Sequence, residues 1–201
     1  TRCNSRNLFF TSTYFFERLR HGRPGMEAWE LDEEVLATWS SKVRWKGLEV
    51  VVVPVCLSMH WTVIVVAITN SSICRYDSLL GQSTEEMRKV GAWVNWRMRK
   101  EGLPGRAWEM QNMPVERQRV GSNDCAMTVM AVMYNARLGD LSVASLPRAS
   151  RGDEVRRLLA WMLLRGGIET EASRIGFGRA RELGADVAEA EAEAVRQTHR
   201  P

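Results

Sequence analysis

The chain has 201 residues, 45% hydrophobic and 26% charged, with eight Trp and ten Met, which suits one domain with a full core and room for an appendage. A net charge of +4, scattered along the chain, is too small for a nucleic-acid footprint and favours at most an acidic protein partner. The longest apolar run, residues 50–57, is too short to span a bilayer, and four dispersed Cys with three His form neither a disulfide framework nor a metal site. No membrane span, signal peptide, metal or cofactor is therefore expected, and a reducing intracellular compartment fits.

Residues 7–20 (NLFFTSTYFFERLR) read as a helix or an extended lead-in, with aromatics that suit core packing. HGRPG at 21–25 breaks the pattern. Residues 30–42 carry Leu31, Val35, Leu36 and Trp39 at helical spacing. Then the character changes. Residues 48–55 (LEVVVVPV), 61–68 (WTVIVVAI) and 73–76 are nearly unbroken apolar runs, which predicts strands buried on both faces. Residues 56–60 are expected to join the first two strands and TNSS at 69–72 to turn into the third. Cys56 and Cys74 read as buried thiols within them.

Ser83-Thr84-Glu85-Glu86 matches a capping box, so a helix is predicted over residues 84–100. Residues 103–123 read as loop with a short strand around 108–110. Residues 124–138 (DCAMTVMAVMYNARL) are apolar nearly all round, which predicts a core helix stopped by Gly139. Another helix is expected over residues 151–165. From 168 onward the chain turns rich in Ala and Glu, so the expected organisation is a domain over residues 1–167 and a helix or tail over 168–201.

Four residues in this frame bear on chemistry. Cys125 sits where a loop enters the core helix, and the positive end of a helix dipole favours a thiolate there. Alone, it is also what a structural Cys at a helix start looks like. His60 lies between two strands, where an imidazole can take the thiol proton and return it to a leaving amine. Asp77 ends the third strand. If strands two and three are neighbours, it comes close to His60 and can fix the imidazole tautomer, though turn Asp residues are common at strand ends. Gln118 precedes Cys125 in the loop, and its amide can donate to an oxyanion beside the Cys125 backbone N–H. Together the four form a coherent thiol-protease constellation.

His60-Trp61, Tyr76-Asp77-Ser78 and the run from Gln118 to Ala126 (QRVGSNDCA) resemble the site motifs of the ubiquitin-like-protein-specific cysteine proteases, the SUMO-protease family. Residues 14–19 resemble that family's aromatic helix, residues 45–55 its Trp-then-strand approach to the His, and Trp108 the Trp before its Gln loop. The resemblance covers roughly residues 9–165 and implies an α+β, papain-like cysteine protease domain with a central mixed sheet flanked by helices. It implies Cys125 as nucleophile, His60 as base, Asp77 as its orienting partner and Gln118 as oxyanion donor. Trp61 would line the narrow tunnel that admits a modifier's Gly-Gly tail.

The implied activity is an isopeptidase or endopeptidase that cleaves after the C-terminal Gly of SUMO. It would need no cofactor and act as a monomer in the nucleus or cytoplasm. Ubiquitin or another ubiquitin-like modifier is an alternative substrate, and a modifier-binding module that does not cut is an alternative role. The loop into Cys125 is one residue longer than the family's, an insertion placed at Ser122 or Asn123. Were it elsewhere, Arg119 would take the Gln position. Val120 replaces the usual Asn, Ala126 the usual Gly, and the family's Trp-Leu-Asn-Asp type segment is not found.

Overall fold

Two valine-rich strands form the centre of the molecule, because β-branched side chains on both faces of a pleated strand need a covering layer on each side. β2 (Val50–Leu57) and β3 (His60–Ala67) pair antiparallel, from Val50 opposite Ala67 to Leu57 opposite His60. β4 (Ser72–Tyr76) lies antiparallel to β3 on its other side. β1 (Leu8–Phe10) and β5 (Glu109–Met113) flank these three in parallel with β2 and β4, giving a mixed sheet in the order β1-β2-β3-β4-β5. The computed structural model describes residues 7–21, 43–119 and 121–139, together with Asp32, Leu36, Ala37, Ser40 and Arg156.

The alternation of side chains along each strand creates two cores. On one face Val51, Val53, Val55, Ile64, Val66 and Ile73 pack against helices α1 (Phe15–His21) and α2 (Glu85–Lys100). Phe15, Trp45 and Trp93 meet there, with ring centroids 4.4 Å (Phe15–Trp93) and 5.3 Å (Trp45–Trp93) apart. On the other face Val50, Val52, Val63, Val65 and Tyr76 pack against Val129, Val132 and Ala136 of α3 (Cys125–Leu138). Gly139 closes α3 with φ 80°, a left-handed conformation that costs glycine least. The architecture is α+β, as expected.

The expected strands and helices within the described residues are present, with four local differences. Residues 7–20 hold both a strand and a helix, since Phe9 and Phe10 join the sheet edge before Phe15 starts a turn of helix. The expected short strand near 108–110 runs instead from Glu109 to Met113. The capping box does not form: Thr84 is the N-cap with no side-chain cap, and the Ser83 hydroxyl donates to Glu86 rather than to backbone. Cys56 and Cys74 are half-buried. The last two residues of β2 run out from under the core, and α3 lies mainly across β3, leaving the Cys74 face of β4 less covered. The helices expected over 30–42 (apart from helical Leu36, Ala37 and Ser40) and over 151–165 (apart from helical Arg156), and the 168–201 tail, lie outside the described residues.

The link between β2 and β3 is tighter than residues 56–60 suggested. Only Ser58 and Met59 turn the chain, with φ of 50° and 67°. Two positive φ values in a two-residue hairpin are those of a type I′ turn, which Asn-Gly adopts without strain. Met59 is 93% exposed and so contributes little packing to offset its conformation. Exchanging Ser58-Met59 for Asn-Gly is therefore expected to stabilise the protein by about 1 kcal/mol. Urea unfolding would read this as a higher midpoint, and an unchanged midpoint would refute it.

Candidate active site

His60 begins β3, directly after the strained turn, and Asp77 follows β4. Since β3 and β4 are paired from Val63 opposite Tyr76, both residues reach the same end of the sheet. His60 Nε2 lies 2.6 Å from Asp77 Oδ1. A carboxylate only accepts, so Nε2 carries the proton and donates, which leaves Nδ1 as the basic nitrogen. The His60 side chain is 20% exposed and that of Asp77 6%, so the pair sits at the surface with its acid buried beneath its base.

Asp77 accepts more than this one bond. The Leu79 backbone N–H donates to Oδ1 at 2.8 Å and the Gly81 N–H to Oδ2 at 3.0 Å. The Arg75 guanidinium pairs with Oδ2 at 2.9 Å. Burial works against the charge of this carboxylate, but the His60 bond, the Leu79 amide and the Arg75 cation outweigh it and hold its pKa below the usual range. The group is ionised at neutral pH.

Gln118 is drawn to the same corner by Ser78, which is fully buried beside Asp77. The Gln118 N–H donates to the Ser78 carbonyl at 2.8 Å, and the Ser78 hydroxyl to Gln118 Oε1 at 2.7 Å. This orients the amide so that Nε2, its donor end, reaches the Ser122 carbonyl at 3.1 Å. Arg119 points away: its side chain is 60% exposed and lies 3.6 Å from Asp124.

Cys125 is the first residue of α3 and 6% exposed. Asp124 precedes it as N-cap without capping through its side chain. Its carboxylate turns instead to Arg156 at 2.7 Å. Burial opposes that charge, and Ser122, Arg156 and Arg119 more than compensate, so the Asp124 pKa is lowered. α3 packs across β3 with further contact to β2 and β4. The Cys56 thiol, cross-strand from Trp61, is pushed up first by burial and then by the neighbouring Cys125. No hydrogen bond joins the Cys125 thiol to His60 among the described residues.

Trp61 is half-buried against the α3 core. His21 makes an exposed pair with Glu17 one helical turn away, a surface role. Of the predicted residues, then, the structure joins His60 to Asp77 directly, brings Gln118 beside them through Ser78, and sets Cys125 at the head of the packed helix. Two contributors, Arg75 and Gly81, escaped the sequence reading, and Ser78 entered it only as part of a motif, with no role. Arg75 left a signal, a lone cation between the apolar Ile73 and Tyr76 in a strand otherwise read as core.

The family model of the Ulp1 protease family, C-terminal catalytic domain, matches residues 4–131, a span that includes all four predicted catalytic residues. Among curated proteins no sequence matches the chain. The yeast Ulp1 protease domain solved in complex with Smt3, the yeast ortholog of SUMO, is similar at a TM-score of 0.64 and 16% identity, covering 81% of this chain and 70% of that one. The catalytic domain of the Chaetomium thermophilum Ulp1-like SUMO protease gives 0.61 and 15%, covering 84% and 65%. A SUMO protease Ulp1 with its catalytic cysteine oxidised to a sulfinic acid gives 0.55 and 16%, covering 68% of this chain, which spans only 60% of that structure. At such identities these likenesses speak for the fold. The family model, which matches more than half of the chain, speaks for more: the chain belongs to the Ulp1 protease family of cysteine peptidases.

Proposed function

We propose that this chain is a cysteine isopeptidase that cleaves after the C-terminal Gly of SUMO, releasing it from lysines or trimming its precursor. The observation that carries the reading is the His60–Asp77 pair at 2.6 Å, with Cys125 the first residue of the helix that packs across β3. With the proton of the neutral ring on Nε2, Nδ1 takes the Cys125 proton. The thiolate attacks the Gly carbonyl, and the imidazolium returns its proton to the leaving amine. Water then attacks the thioester with His60 as base, releasing the Gly carboxylate and restoring the thiol. Asp77 stays ionised throughout and stabilises the imidazolium. No step calls for a metal or cofactor.

Trp61, beside His60, is assigned to the channel for the modifier's tail, where only residues without side chains would pass. The solved Ulp1 domain in complex with Smt3 supports SUMO as the modifier. Such substrates suit a monomer acting in the nucleus or cytoplasm. Among the described residues no helix is long and apolar enough to cross a membrane.

Gln118 is assigned to the oxyanion hole with the Cys125 backbone N–H. Its amide is already turned by Ser78 on the Oε1 side, and the oxyanion would take the place of the Ser122 carbonyl on Nε2. Gln118→Ala is expected to lower kcat about a hundredfold. A rate near wild type in a cleavage assay would assign the hole to backbone donors alone.

The direct test is a panel of SUMO, ubiquitin and other ubiquitin-like modifiers, each with a C-terminal electrophile. SUMO is expected to be captured covalently at Cys125. Capture of another member would change the substrate. Binding of a modifier without capture by any would identify a module that recognises but does not cut.

A further inference from the structure

Arg75 is a buried cation on a strand where an apolar side chain would be expected. Its side chain is 8% exposed, and its Cα is opposite Ile64 on β3. The neighbouring same-face position on β4 is Ile73, which belongs to the core beneath α1 and α2. A buried ion pair is weak support for stability, since desolvation cancels most of the attraction. The placement therefore calls for a different account, and the geometry supplies one. Arg75 Nη1 donates to the Gly81 carbonyl at 2.6 Å and pairs with Asp77 Oδ2 at 2.9 Å. One nitrogen thus holds both ends of the segment from Asp77 to Gly81.

That segment is shaped around the carboxylate. The Leu79 and Gly81 amides close on its two oxygens, Leu80 is held at φ 61°, and the Leu80 N–H donates to the Asp77 carbonyl at 3.0 Å. Gly81 comes so close that a Cβ there would stand 2.6 Å from Asp77 Oδ2. With Oδ2 gripped by Arg75 and Gly81 and Oδ1 taking the Leu79 amide, the remaining acceptor side of Oδ1 goes to His60.

We propose that Arg75 and Gly81 are positioning residues for the catalytic pair: they lock the Asp77 carboxylate from the side opposite His60 and so set the direction in which the imidazole faces. This rests on the proposed function only for its kinetic consequence. The charged and titratable groups facing Asp77 are His60 from β3 and Arg75 from β4. Removing Arg75 leaves the carboxylate charged but held behind by the Leu79 and Gly81 amides alone, in a loop that has lost its clamp, and misplacement on the scale of an ångström costs a hydrolytic enzyme about a hundredfold in rate.

The test compares wild type with Arg75→Met, Arg75→Lys and Gly81→Ala in two measurements. The first is steady-state cleavage of a SUMO fusion. The second is the far-downfield proton resonance of the His60 Nε2–H bonded to Asp77, which needs no substrate. Arg75→Met is expected to lower kcat about a hundredfold with KM changed by less than about twofold, and to broaden or remove the resonance. Arg75→Lys, which keeps the charge, should recover part of both. Gly81→Ala pushes on the same carboxylate while leaving the Arg75 side chain in place, and should repeat the loss, which covers the case in which Arg75→Met fails to fold. Wild-type kcat in Arg75→Met, or a loss of kcat with an unchanged resonance, would overturn the proposal. If wild type cleaves no modifier, the functional reading fails, while the resonance still decides whether Arg75 holds the pair.

Discussion

Cys125→Ser is expected to remove turnover almost completely, by roughly four to six orders of magnitude in kcat, while the protein stays folded and still binds its modifier. The chemical reason is that a serine hydroxyl in place of the thiol cannot form the anion needed to attack the Gly carbonyl under the same imidazole. The structural reason for retained folding is local. Position 125 opens α3, where Ser suits a helix start. The packing that holds α3 to the sheet comes from Val129, Val132 and Ala136 further along. A thermal melt within a few degrees of wild type, combined with absent cleavage and preserved modifier binding, is the expected result. Persistent turnover would move the nucleophile elsewhere and end the assignment of Cys125.

Asp77→Asn is the second large effect, and it acts on two links at once. In catalysis, an amide facing His60 no longer selects the Nε2-protonated ring or stabilises the imidazolium. The corresponding change in a serine-protease triad costs about 10⁴-fold, and a loss of that order in kcat is expected. In stability, Asp77 accepts from His60, Leu79 and Gly81 and pairs with Arg75. An Asn has one accepting oxygen for this set. Its NH2 would meet a donor, and Arg75 would be left as a buried, uncompensated cation. Both are costly, so the variant is expected to be less stable by a few kcal/mol at neutral pH.

The pH dependence gives this second prediction its own check. The Asp77 pKa is lowered in the folded protein. An acid so shifted contributes stability above its unfolded pKa of about 3.9, and that contribution is lost as pH falls through the folded value. The gap between wild type and Asp77→Asn should therefore be full at neutral pH and narrow on acidification below about pH 4. A gap independent of pH would mean that the ionised carboxylate does not hold the site together. Asp124, whose pKa is also lowered, is present in both proteins and drops out of the comparison.

Much of the fold could be read from periodicity because the relevant forces are local and repetitive. The short, β-branched valine runs of β2 and β3 are nearly unbroken, a pattern that suits a strand covered on both faces, and both faces are indeed covered. The core helix behind Cys125 and its glycine stop were readable for the same reason. The hairpin was not. Ser58-Met59 lacks the glycine or asparagine that normally marks a type I′ turn, so the pairing of Leu57 with His60 forces a conformation its residues do not announce. The capping box misled in the opposite direction: its residue types are present, but the Ser83 and Glu86 side chains satisfy each other and leave the backbone uncapped.

The sequence by itself determined which residue types were available for chemistry and the strands and helix that carry them, since amphipathic and apolar periods are written in the order of the residues. The meeting of His60 with Asp77, the turning of Gln118 by Ser78 and the grip of Arg75 on the carboxylate were decided only by the tertiary structure. Each depends on strand register and on a loop closing through backbone amides, and a register is a relation between distant segments that no single stretch of chain encodes.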